Sequence, residues 1–250
     1  MLGKLLKYEF KATARTLLPL YAALLIISVI SNLLLHSDFQ IASVISITVF
    51  GALLMAVFIV TLILMIQRFY RNLLSDEGYL MFTLPVKTNR LIFSKMIVTF
   101  VWFLIAGIVG GISGLLLGWN SSFWGELREI WPQITAAFSQ LTGDQIGFII
   151  NCLLFVILGS ILFILMVYTA ISVSQLPIFH KHRKLFSFGT FIAILILMQI
   201  ILSIIFPETC TVATSGINQL MLLNNILMAV ADVLLFIATN YILSKKLNLE

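Results

Sequence analysis

All but one of the fifteen Lys and Arg residues of this 250-residue chain fall into four short clusters, and long apolar runs separate the clusters. The clusters are Lys4, Lys7, Lys11 and Arg15; then Arg68, Arg71, Lys87, Arg90 and Lys95; then Lys181, Arg183 and Lys184; and finally Lys245 with Lys246. Only Arg128 lies elsewhere. Two apolar runs separate each cluster from the next, so keeping every cluster on the cytoplasmic side, as the positive-inside rule requires, takes the chain across a membrane six times. Both termini are then cytoplasmic.

The apolar runs cover residues 17–35, 41–66, 96–118, 146–174, 187–206 and about 222–243. Each holds about 19 residues or more, enough to cross a hydrocarbon layer of about 30 Å at about 1.5 Å rise per residue. One Lys or Arg at a helix centre would cost roughly 2.5–3.5 kcal/mol of insertion free energy, so their exclusion from all six runs points to lipid rather than to a soluble core. Composition agrees: 61% of residues are hydrophobic and only 10% charged, against about a quarter charged in soluble domains. The expected fold is an all-α integral membrane protein of the cell membrane, with six transmembrane helices, both termini cytoplasmic, an N-terminal interfacial amphipathic helix, and residues 1–250 forming a single transmembrane domain. The net charge of +5 sits where it meets anionic inner-leaflet lipid, so membrane lipid and not nucleic acid is the partner implied.

Residues 1–16 place Lys4, Lys7, Lys11 and Arg15 on one side of a helix, with Leu2, Leu5, Leu6 and Phe10 on the other. That pattern predicts a helix lying on the inner leaflet. Pro19 lacks an N–H and disfavours helix at Leu18, which predicts a bend before the first span. No Ala-x-Ala-like cleavage site follows, so the first run reads as a retained span.

Residues 119–145 form the one sizeable external loop, with Trp119, Trp124 and Trp131 suited to headgroup depth. Phe123, Leu127, Ile130, Ile134 and Phe138 recur at helical spacing, and Pro132 is expected to split the segment into two short pieces on the membrane surface. Thr142 and Gln145 have capping-box spacing at the start of the fourth span. Residues 207–221 carry few charges and read as an outer segment dipping back toward the membrane before the sixth span. In the third span, Gly107, Gly110, Gly111, Gly114 and Gly118 give overlapping small-xxx-small spacings that let another helix approach closely. Packing within the same chain is the favoured use.

Motifs that carry chemistry are missing from the sequence: it has no Gly-x-x-x-x-Gly-Lys-[Ser/Thr], no His-Glu-x-x-His and no Gly-x-Ser-x-Gly. His180 and His182 lie in a basic run without nearby carboxylates or thiolates, and His36 lies at the outer end of the first span, so no metal site is expected. Cys152 falls inside the fourth span and Cys210 in an outer loop, which predicts no disulfide. One ionisable residue does lie at depth. Asp232 sits midway along the sixth span, where a carboxylate is costly and marks either a path or a paired contact. Asn240, Asn225, Asn151 and Gln199 are the candidate partners, and Asp232, Gln199 and Asn151 are the candidate lining of a translocation path. Cargo passage, proton transfer and a structural hydrogen bond from a neutral carboxyl all remain open for it.

Between the second and third spans, residues 67–95 read QRFYRNLLSDEGYLMFTLPVKTNRLIFSK. Ser75 can cap a short helix whose first turn carries Asp76 and Glu77 at the positive dipole end, and Pro85 stops it. Tyr79, Leu80, Phe82 and Leu84 would then be left on a small cytoplasmic loop, as on a docking surface. Thr88 or Asn89 can cap the helix that becomes the third span. A loop that only orients spans two and three through headgroup contacts would carry similar aromatics.

With Arg71, then Asp76, Glu77, Gly78, Tyr79, Leu80, Leu84 and Pro85, then Leu91, Ser94 and Lys95, the chain resembles the membrane permease subunits of bacterial type-2 ABC exporters. The basic helix ahead of the first span and the six spans with both ends inside add to the resemblance. It implies that the chain is not an enzyme and that ATP and Mg are bound by a separate cytoplasmic ABC ATPase, with no cofactor in this chain. It also implies a second permease copy, identical or paralogous. Residues Asp76 to Pro85, with Phe82 among them, would be the coupling helix inserted into the ATPase, Gly78 its tight first turn, and residues 1–16 the connecting helix. Cargo is expected to be an amphipathic peptide or a lipid-like or drug-like molecule. Two other functions fit the same spans: a proton- or ion-coupled secondary transporter using Asp232, and a membrane immunity or scaffold protein that transports nothing.

Overall fold

The computed structural model describes residues 2–35, 40–74, 88–119, 123–176, 183–205 and 214–245. These form seven helices: α1 (Leu2–Leu35), α2 (Gln40–Leu74), α3 (Thr88–Leu117), α4 (Phe123–Ser139), α5 (Gly143–Ser174), α6 (Arg183–Ile205) and α7 (Thr214–Lys245). No strand occurs among the described residues. Six of the helices, all but α4, are long and apolar enough to cross a membrane. They coincide with the six apolar runs.

The helices outlast the runs that announce them. α1 has 34 residues and α2 has 35, about 50 Å each at 1.5 Å per residue, well beyond a hydrocarbon layer of about 30 Å. The excess carries charge: Lys4, Lys7, Lys11 and Arg15 on the first turns of α1, Arg68 and Arg71 on the last turns of α2, Arg90 and Lys95 on the first turns of α3.

The helix is not interrupted at Pro19: α1 continues as one helix through it. Thr13, Leu17, Tyr21 and Leu24 form one buried face on both sides of the proline. That packing holds the helix across the hydrogen bond that Pro19 cannot make. Pro132 likewise lies inside α4 instead of splitting it. Residues 125–136 of α4 are exposed throughout, so the carbonyl released by the missing N–H is not sealed in a core. The Leu127, Ile130, Trp131, Ile134 and Phe138 side chains make an exposed apolar stripe on it. Residues 214–221, expected in a segment dipping back to the membrane, are the first two turns of α7.

The chain divides into two compact units, Met1–Met65 with Ile97–Leu141 and Ile66–Met96 with Thr142–Glu250. The core of the first is Leu17, Tyr21, Leu24, Phe50, Val57, Met65, Val98, Trp102 and Ala106. Polar groups tie it together. Trp102 Nε1 donates to Thr13 Oγ1 at 2.8 Å, and the Thr13 hydroxyl is 2.8 Å from the Glu9 carbonyl. Tyr21 Oη donates to the Trp102 carbonyl at 3.4 Å and also lies 3.4 Å from Thr61 Oγ1. Asn32 Nδ2 donates to the carbonyls of Leu117 and Trp119 at 2.8 and 2.7 Å, closing the carbonyl end that a helix leaves open. Thr13 with Trp102 and Asn32 with Leu117 also show that α1 and α3 run parallel.

The glycines of α3 are not where α3 packs. A Cβ on Gly107, Gly111 or Gly114 would meet nothing within 4 Å, and one on Gly110 would meet only the tip of Phe58 at 4.0 Å. Close helix approach within the chain, the favoured sequence reading, is therefore not what these glycines provide. α3 turns its Val98, Trp102, Ala106 and Ser113 face inward instead.

In the second unit α5 packs against α7 and α6. The first half of α5 is largely exposed, with Phe148, Ile149, Leu153 and Val156 among its outward side chains, whereas Leu162 to Ser174 is mostly buried. Tyr168 in that buried half stacks on Phe69 near the end of α2, ring centroids 3.8 Å apart. Phe163 meets Phe191 of α6 edge to face. The helix begins as its sequence predicts: the Thr142 N–H donates to Gln145 Oε1 at 3.0 Å.

Candidate functional site, the seam between α5 and α7

Asn218, Asn225, Asp232 and Thr239 follow one another at intervals of seven residues on α7. A seven-residue interval keeps side chains on one side of a helix that packs in left-handed fashion on a neighbour. Asn225, Asp232 and Thr239 are among the most buried positions of α7. Buried apolar side chains on this helix are fewer: Leu243 is the one among the described residues.

Three of the four positions are matched on α5. Asn151 Nδ2 donates to Asn218 Oδ1, and Asn225 Nδ2 donates to the Asn151 carbonyl at 3.0 Å. A Cβ on Gly147 would come within 3.0 Å of Asn218 Nδ2, so the glycine is what lets Asn218 approach. Further along, Thr169 Oγ1 and Thr239 Oγ1 are 2.8 Å apart, and each hydroxyl also lies within hydrogen-bond distance of its own helix backbone, at Leu165 and Leu235. The pairs Gly147 with Asn218, Gly159 with Met228 and Thr169 with Thr239 share an offset of about 70 residues, which fixes α5 and α7 as parallel.

The fourth position has no match. Both carboxyl oxygens of Asp232 are buried without a hydrogen-bond partner, although the residue is only 8% exposed. The offset sets Asp232 level with Leu162, itself a buried apolar side chain. Asn225 Oδ1 and Asn240 Oδ1 are also buried without partners. Of the four partners the sequence offered to Asp232, Asn151 and Asn225 bond to each other, Asn240 Oδ1 is unbonded, and Gln199 is exposed on α6. Asn218, Thr169 and Thr239 were not singled out in the sequence. The seven-residue repeat of polar residues was the signal that could have found them.

The segment Asp76, Glu77, Gly78, Tyr79, Leu80, Phe82, Leu84 and Pro85 lies outside the described residues, as do His36, His180, His182 and Cys210. Of the flanking residues, Arg71 is exposed on the last turn of α2, and Leu91, Ser94 and Lys95 are buried on the first turns of α3. Their spacing of three and four residues puts those three on one face of α3, whose first helical residue is Thr88, where Thr88 or Asn89 was expected as its cap. No group of three or more His, Cys, Asp or Glu side chains able to hold a metal occurs among the described residues.

Six membrane-length apolar helices and a polar seam between two of them define a multi-pass helical membrane protein. No family model matches the chain, and no curated protein or solved structure matches it either.

Proposed function

We propose that this chain is the membrane permease subunit of an ATP-driven exporter of the ABC type, working with a separate ATPase to move an amphipathic peptide, lipid-like or drug-like cargo out of the cell. The observation that carries the reading is the segment from Arg71 to Lys95, with Asp76-Glu77-Gly78-Tyr79-Leu80 and Leu84-Pro85 between two spans. Six membrane-length helices support it. In this reading the basic helix ends face the cytoplasm, both termini lie there, and two permease copies stand above two ATPase subunits in the cell membrane. ATP-driven closure of the ATPases pushes on the coupling segment, and the spans move as rigid bodies. Residues 1–16 would follow that motion as the cytoplasmic part of a continuous α1. Asp232 and Asn151 line the candidate path through the seam, with Gln199 apart from them on α6.

The test is purification of the tagged chain from native membranes in a gentle detergent, with mass spectrometry and an ATPase assay on what accompanies it. The reading expects a stoichiometric subunit bearing a nucleotide-binding loop, and its loss from Glu77→Lys and Tyr79→Ala chains that still fold. Retention of that subunit unchanged in both variants would defeat the coupling assignment. A chain that purifies alone and still moves cargo would favour ion-coupled transport instead.

A further inference from the structure

We propose that the α5–α7 seam is built around a reversible protonation site at Asp232, which is a carboxylic acid while the two helices are in contact and ionises when water reaches it. The inference concerns the seam alone and does not depend on an ATPase partner. Four observations carry it. The carboxyl is 8% exposed, neither oxygen has a hydrogen-bond partner, and its level on α5 is occupied by Leu162. The neighbouring polar positions of the stripe, Asn225 and Thr239, are seven residues away on either side, about 10 Å along the axis.

That spacing decides between the possible occupants. A metal cation needs several oxygen ligands around it at bonding distance, and here the flanking polar side chains of the stripe, Asn225 and Thr239, lie two helical turns off. A cationic head on a cargo molecule needs an opening, which the closed seam around the 8% exposed Asp232 does not offer until its helices part. A proton needs neither. An ionised carboxylate sealed among apolar side chains is far more costly than the neutral acid.

Among the described residues, no charged side chain hydrogen-bonds to Asp232. On α5 the titratable groups are Asp144, Cys152 and Tyr168; on α7 they are Tyr241 and the terminal Lys245; on α6, Arg183 and Lys184 stand at the first turn. The segment whose Phe69 stacks on Tyr168 carries Arg68, Tyr70, Arg71, Arg90 and Lys95. Tyr168, the nearest of the α5 groups by register, is six residues from the Leu162 level, about 9 Å along the helix.

The step is a simple acid ionisation: the carboxyl O–H bond breaks, its electron pair stays on the oxygen, and the proton leaves to water. Linkage then fixes the direction of the effect. Contact between α5 and α7 favours the protonated form, so protonation favours contact, and raising the pH favours separation by up to about tenfold in the population ratio per pH unit.

Infrared spectroscopy of the full chain in liposomes tests this. Asp has four positions in the sequence, Asp38, Asp76, Asp144 and Asp232, so side-chain 13C-labelling of Asp isolates few carboxyls. The expected result at neutral pH is a protonated-acid carbonyl band that shifts on 13C-labelling and in D2O, disappears in alkali and is missing from Asp232→Asn. Should Asp232→Asn not fold, Asp232→Glu keeps the acid and moves the band out of the Asp-labelled position. Only carboxylate bands from Asp at neutral pH, a band surviving in Asp232→Asn, or one abolished by added Na⁺ or K⁺ at constant pH would overturn the proposal.

Discussion

The α1–α3 seam and the α5–α7 seam are both parallel helix contacts threaded with polar side chains, and they differ in whether those side chains are satisfied. In the first, Trp102, Tyr21 and Asn32 each find an acceptor on the facing helix or its neighbour. Every buried side-chain polar atom without a partner, among the described residues, lies in the second unit: Asp232, Asn225, Asn240 and Gln175. In lipid there is little hydrophobic drive between helices, so hydrogen bonds and packing decide which contacts are firm. A fully paired polar network rigidifies its surroundings, whereas a partly paired one stores the cost of the groups left out. The first unit is thus built as a frame and the second as a contact poised to change.

Substitutions can break this contrast, and the largest effect is expected at Trp102. Trp102→Ala removes a buried ring packed beside Phe10 and Tyr21, and should cost about 3 kcal/mol of unfolding free energy in micelles. Trp102→Phe, which forfeits chiefly the bond to Thr13, should cost nearer about 1 kcal/mol. If the two variants were equally destabilised, the bond and not the packing would hold the frame. Next comes a gain: Asp232→Leu should stabilise the chain by about 1–3 kcal/mol, the usual cost of a buried unsatisfied polar group. A loss of that size in the same unfolding assay would mean the carboxyl has a partner.

Asn151→Ala deletes the bond to Asn218 and leaves Asn225 only a backbone acceptor. At about 0.6 kcal/mol per membrane hydrogen bond it should cost on the order of 1 kcal/mol, and no cost would mean this end of the seam is already loose. The smallest effects belong to glycine. Gly111→Ala meets open space and should be neutral or gain up to about 1 kcal/mol of helix propensity. Gly147→Ala crowds Asn218 and should fall below it in melting temperature.

The six spans were legible because excluding Lys and Arg from lipid leaves a strong mark on the sequence. Not all of their ends were, since a helix that continues past its apolar run, as in residues 67–74 of α2 and 214–221 of α7, changes no hydropathy signal. At Pro19 the buried face from Thr13 to Leu24 keeps the helix continuous where the missing N–H favours an interruption. The glycines of α3 show the converse: a stripe of small residues says a helix could approach, and only the fold says that none of the described residues meets Gly107, Gly111 or Gly114. At the seam, Asp232 announced itself as a lone carboxylate, and the seven-residue repeat was present to be read. What the sequence could not reveal is that Asn151 and Asn225 bond to each other and leave Asp232 unpaired.

The most direct test of the contrast is pulsed electron paramagnetic resonance on two doubly labelled chains in liposomes, with Cys152 and Cys210 replaced by Ser. One pair of labels goes on exposed Ile150 and Ile226 of α5 and α7, the other on exposed Leu33 and Leu115 of α1 and α3. The account predicts that raising the pH lengthens the α5–α7 distances, leaves the α1–α3 distances unchanged, and alters neither set in Asp232→Asn. Equal movement in both pairs, or an α5–α7 response that persists in Asp232→Asn, would contradict it.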